Sequence, residues 1–250
     1  MPNIATSSPT PEGRRRLERA VERSQRRSVS FFPSFYRDDS LQNVPPLAQL
    51  LRGGHGGEVR LKLYMTMKML ATRAPHDIRN TPARVWASML ALPDPDVNGA
   101  RRISDALSSL ESANLVQLER RPGMPPTITV LEAPVQEVSL RTKNWWVNIP
   151  IGFWSYEWIY HLSAGAVALI IITRDMRSNL DPSQPPWLSG RDRKRYGISD
   201  DTWTRARKEL EELGLLSITR VPQSRDLDYR RLRNTYWLDI EQLDEKMPVR

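Results

Sequence analysis

The sequence predicts a mainly α-helical protein with small β hairpins, arranged as two tandem copies of one plan behind a basic N-terminal segment. Three observations carry this expectation. Apolar residues recur at helical spacing in six blocks separated by Pro, Gly and Asn breakers. Each set of three blocks runs into two short segments of strand character. The same order then returns, and an internal repeat is stronger evidence than either copy alone. The 250 residues, 39% hydrophobic and 26% charged, allow one large domain or two small ones.

The elements follow in order. Residues 1–45 read as a basic, largely disordered tail. A short helix over Pro11–Arg27 has only Leu17, Ala20 and Val21 for an apolar face, too little to hold an isolated helix. The aromatic patch Phe31–Tyr36 is available to dock on a domain, and Pro45-Pro46 marks a boundary. The first copy spans 46–132. It has a helix over Val59–Thr72, a second begun by Thr81-Pro82, and a third over Val97–Ser112 that buries Ile103, Ala106, Leu107 and Leu110. Strands follow at Leu115–Arg120 and Thr127–Leu131.

A linker is expected at 133–144, and the second copy at 145–242. Ser163 caps its first helix, and Trp187-Leu188-Ser189 starts a short basic second helix. Ser199 caps a third helix over Asp200–Leu213, ended by Gly214, with Trp203, Ala206, Leu210 and Leu213 inward. Strands at Leu215–Val221 and Asn234–Ile240 flank a long basic loop. Residues 243–250 read as a closing tail.

Charge narrows the function. The net charge is +8 and the isoelectric point near 10, which favours a polyanionic partner, nucleic acid first. GC-rich coding would also raise the arginine content, so the placement of the charge matters more. It falls in three basic blocks (1–45, 46–132 and 187–237) around a neutral, aromatic-rich middle. There are no cysteines and only three dispersed histidines, which argues against disulfides, cysteine nucleophiles and a His/Cys metal site. No metal and no cofactor is expected. The longest apolar run, Ala164–Ile172, is too short to span a bilayer, and Met1–Pro11 lacks an apolar core. A cytoplasmic, nucleoid-associated protein with no membrane partner is expected.

The stretch Tyr196-Gly197-Ile198-Ser199-Asp200-Asp201-Thr202 … Leu210-Glu211-Glu212-Leu213-Gly214-Leu215-Leu216 resembles winged helix-turn-helix DNA-binding domains. Leu107–Val116 is a looser equivalent, with Pro93-Asp94-Pro95-Asp96-Val97-Asn98 in place of the Gly-Ile-Ser turn. In layout a tandem pair is similar to plasmid replication initiators and to multi-domain transcriptional regulators. The resemblance implies two tandem winged helix-turn-helix domains. It places the third helix of each in the major groove and the hairpin wing against phosphate or the minor groove.

On that reading the DNA-binding residues of the second copy are Thr204, Arg205 and Lys208 on the third helix. Arg191, Arg193, Lys194 and Arg195 lie on the second helix, and Arg225, Arg230, Arg231 and Arg233 on the wing. In the first copy they are Asn98, Arg101, Arg102 and Ser108, with Arg120 and Arg121 at the hairpin. An Arg can fork onto guanine, whereas a phosphate contact only positions. Taken singly, each of these residues is equally well a solvated charge.

Trp145, Trp146, Phe153, Trp154, Tyr156, Trp158 and Tyr160 lie in a charge-balanced segment. They read as core, with base stacking and a homodimer surface as alternatives. Enzyme readings lack support. Gly53–Gly57 has no following Lys-Ser/Thr for a phosphate. His76-Asp77 is a lone pair, Asp200-Asp201 are helix-start acids, and Tyr229 has no catalytic surroundings. The expected function is non-enzymatic, sequence-specific double-stranded DNA binding in transcriptional regulation. The alternatives are a replication initiator or maintenance protein of a plasmid or mobile element, and a protein-interaction scaffold built on winged helices.

Overall fold

A computed structural model describes residues 8–52, 56–132, 146–177, 186–188, 190–222 and 232–246. Residues 8–45 are folded, which corrects their reading as part of a largely disordered tail. Helix α1 (Pro11–Ser24) starts with the Thr10 hydroxyl accepting from Gly13 N at 3.0 Å. It buries Gly13, Leu17, Ala20 and Ser24, one side of the helix. Glycine is required at 13: a Cβ there would collide with the Ser88 carbonyl, on a helix of the first copy. Strand β1 (Ser28–Phe31) and helices α2 (Pro33–Tyr36) and α3 (Pro46–Leu51) follow. Phe31, Phe35 and Tyr36 are fully enclosed, and that aromatic area drives the segment onto the body of the protein.

The first copy begins with α4 (Gly57–Leu70), buried around most of its circumference, including Lys62 and Lys68. Lys62 pairs with Glu58 at 2.6 Å and Lys68 with Glu132. Burial pushes both ammonium pKa values down while these carboxylates push them up. Strand β2 (Asp77–Ile78) was not foreseen.

Next come α5 (Ala83–Met89), a π-helical turn over Pro95–Gly99, α6 (Ala100–Ser112), β3 (Val116–Glu119) and β4 (Thr127–Val130). Thr81 does not cap α5. Pro82 holds the cap position, with no side-chain cap bond, and the Thr81 hydroxyl turns back to the Arg79 carbonyl. The three strands form one antiparallel sheet in the order β2-β4-β3.

Strand β5 (Val147–Pro150) pairs antiparallel with β1, Val29 opposite Ile149. Two short helices, α7 (Gly152–Ser155) and α8 (Trp158–His161), hold Phe153, Trp154, Trp158 and Tyr160 in the core, as expected; Trp146 and Tyr156 are exposed, against that expectation, and Trp145 lies outside the described residues. The second copy repeats the first: α9 (Ala164–Arg177), α10 (Gly190–Lys194), α11 (Asp200–Glu212), β6 (Leu216–Pro222) and β7 (Leu232–Leu238). Trp187 does not start α10; it bridges Thr235 of β7. It thus stands where β2 stands in the first copy, between the first and second helices and against the last strand.

The copies share one core. Trp154 Nε1 donates to Thr66 Oγ1 of α4 at 3.2 Å. Residues 243–245, expected to belong to a closing tail, are engaged rather than free. Leu243 is fully buried, Gly152 N donates to Asp244 Oδ1 at 3.2 Å, and Trp158 Nε1 donates to the Glu245 carbonyl at 3.0 Å. The expected linker at 133–144 lies outside the described residues.

Candidate nucleic-acid interface

The third helix of the second copy is held from below. Trp203, Ala206 and Leu210 are buried, and Trp203 meets Tyr236 of β7 edge-on at 6.0 Å. Glu209 accepts from Ser163 N at 2.7 Å and Ser163 Oγ at 2.5 Å, which ties α11 to the start of α9. Ser163 Oγ in turn accepts from Ala166 N, the cap expected there. Ser199 caps α11 by accepting from Thr202 N at 3.2 Å, after a tight turn in which Gly197 has a φ of +62°.

This scaffold leaves Thr204, Arg205 and Lys208 exposed on one face, as the helical spacing requires. Their charges are partnered. Arg205 Nη2 lies 2.5 Å from Asp201 Oδ2, and Lys208 Nζ lies 3.8 Å from Glu212. Helix α11 carries Arg205, Arg207 and Lys208 against Asp200, Asp201, Glu209, Glu211 and Glu212, so its field alone does not attract phosphate. Exposed i,i+4 pairs are worth only about 0.3–0.5 kcal/mol, however, so Arg205 can exchange Asp201 for a base edge at little cost.

The second helix divides. Lys194 is exposed. Arg193 bonds Asp200 at 2.5 Å and lies 5.3 Å from the Trp203 ring centroid, joining α10 to α11. Arg195 points elsewhere than expected. Its carbonyl accepts from Asp38 N, and its guanidinium lies 3.7 Å from Asp192 and 3.9 Å from Asp39, on the N-terminal segment. The side chain of Arg191 and all of Arg225, Arg230 and Arg231 lie outside the described residues. Arg233 lies over the Trp187 ring at 4.4 Å.

In the first copy Arg101 is exposed and Arg102 partly so; neither makes an ion pair among the described residues. Asn98 serves as a local cap partner: its Nδ2 donates to Asp94 Oδ2 at 2.8 Å and its backbone N donates to the same oxygen at 3.1 Å. Ser108 is exposed on α6. At the hairpin Arg120 forks onto Glu111 (2.7 and 3.2 Å) and Arg121 reaches Glu119 at 2.7 Å. The Arg120 contact holds Glu111 below the usual carboxylate range.

The arginines that the sequence places on a short basic N-terminal helix stand on α1, which is docked on the protein body through Leu17 and Ala20. Arg15, Arg19 and Arg23 are exposed, and Arg19 and Arg23 are unpaired among the described residues. Their i,i+4 spacing was legible; the docking that fixes it was not.

Among the described residues no group of three His, Cys, Asp or Glu is placed to hold a metal, and no helix is long and apolar enough to cross a membrane. Fold and site define a mixed α/β protein, mostly helical with small sheets. No protein-family model, curated protein or solved structure matches the chain.

Proposed function

We propose that the chain is a sequence-specific double-stranded DNA-binding protein that acts in transcriptional regulation through two winged-helix units. The observation that carries the reading is the repeated scaffold. Each copy is a first helix, a short strand or bridge, two further helices and a hairpin, and each sets exposed polar side chains on its third helix. Arg101 and Arg102 occupy that place in one copy, Thr204, Arg205 and Lys208 in the other. Direct readout needs rigidly presented donors of this kind. The shared core would fix the spacing of two half-sites within one chain.

A replication initiator or maintenance protein would use the same surfaces, with repeated sites at an origin. Selection of duplexes from a random pool, followed by mapping of the enriched site in the genome, tests the proposal. A recovered motif at promoters supports regulation, and iterated copies at an origin support initiation. Enrichment of no motif contradicts both.

A further inference from the structure

The outer face of the β6–β7 hairpin carries, beside the wing residue Arg233, two tryptophans that duplex reading does not use. Side chains alternate along a strand. Tyr236 and Leu238 point inward, toward Trp203 and the core. Arg233, Thr235 and Trp237 therefore lie on the opposite face, where Thr235 is covered, its hydroxyl donating to the Thr219 carbonyl, and Arg233 and Trp237 are partly exposed. Trp187 joins the same face through its bridge to Thr235. The Arg233 guanidinium lies 4.4 Å from the Trp187 ring centroid, and the Arg177 guanidinium, from the end of α9, lies 5.8 Å from that of Trp237.

Neither arginine makes an ion pair among the described residues, and Trp187 is 38% exposed. Beside Trp237 opens a cavity of about 420 Å³ lined by Arg177, Ser217, Asp239 and Glu241 among others, within the roughly 300–1,000 Å³ of ligand-binding cavities. Two arginine–tryptophan stacks stand about 13 Å apart, four strand residues along β7.

We propose that this face binds single-stranded DNA. Planar rings and guanidinium groups accept unstacked bases, and the arginine charges attract the adjoining phosphates. A duplex keeps its base faces stacked inside and offers none to Trp187 or Trp237. The proposal goes beyond the duplex reading and does not rest on it.

The test is fluorescence anisotropy with a labelled oligothymidylate of about 20 nucleotides, which cannot pair with itself. It is run on the full chain beside a duplex probe, with circular dichroism to confirm folding. Trp187→Ala should weaken single-strand binding about 5- to 150-fold, the range for loss of one stacked base. Trp187→Phe, which keeps a ring, should retain most of it. Arg233→Gln serves as a second variant that removes no core volume, and it should also weaken the single strand. Failure of the native chain to bind the oligonucleotide at low salt, or full affinity in folded Trp187→Ala and Arg233→Gln, overturns the proposal. Arg233 is also a wing residue of the duplex reading, so the two readings are separated by Trp187→Ala, which should leave the duplex probe bound as by the native chain.

Discussion

Arg37 Nη1 sits 2.8 Å from both carboxylate oxygens of Asp175, a residue 1% exposed on α9. Tyr36 Oη donates to the same carboxylate at 3.0 Å and Tyr196 Oη at 2.8 Å. Burial, with the Asp175 charge, pushes both phenols far above their ordinary pKa, so both remain donors. One carboxylate thus ties the N-terminal segment, the first helix of the second copy and the turn that leads into α11. Asp175→Asn should lower stability by about 3 kcal/mol, the low end of the cost of breaking a buried pair, because Arg37 keeps a second carboxylate, Asp39, at 3.3 Å. Urea denaturation checks this; a change under about 1 kcal/mol would mean the cluster is not a structural tie.

Deleting residues 1–40 should destabilise the protein severely. The deletion removes β1 from β5, uncovers Tyr64, which Phe35 packs against at 5.1 Å, and strips Arg37 from Asp175. Calorimetry should show a melting temperature lowered by many degrees or no cooperative transition. An unchanged transition would restore the tail reading.

Trp203→Ala should cost about 3–5 kcal/mol, because Trp203 is buried against Tyr236 beneath the exposed face of α11. A denaturation midpoint equal to that of the native chain would overturn the register that exposes Thr204, Arg205 and Lys208.

Much of this framework is legible in the sequence. The repeat, the buried stripe Trp203/Ala206/Leu210 and the Ser199 cap follow from local periodicity and capping chemistry. The integration of residues 11–36 does not, because Leu17, Phe35 and Tyr36 find partners distant in sequence. Asp175 illustrates the limit. Alone it is an acid at the end of an apolar helix, and only the fold brings Arg37, Tyr36 and Tyr196 to it. The displaced roles of Asn98 and Arg195 have the same origin: carboxylates at Asp94 and Asp39 compete for groups that composition alone offers to DNA.

Arg205→Ala should reduce discrimination between the selected site and random duplex by about 1–3 kcal/mol, the worth of one bidentate base contact. Competition binding with both duplexes measures it. Equal loss on the two would make Arg205 a phosphate contact only.

On the proposed function the repeated third helices read duplex DNA. Binding of the native chain to its selected duplex and to a scrambled one, titrated across salt concentrations, tests this most directly. The selected site should bind at least about 10³-fold tighter than the scrambled one. Log K should also fall linearly with log salt, by about 0.9 for each phosphate contacted. Equal affinity for the two duplexes at every salt concentration, or no binding to either, would contradict it.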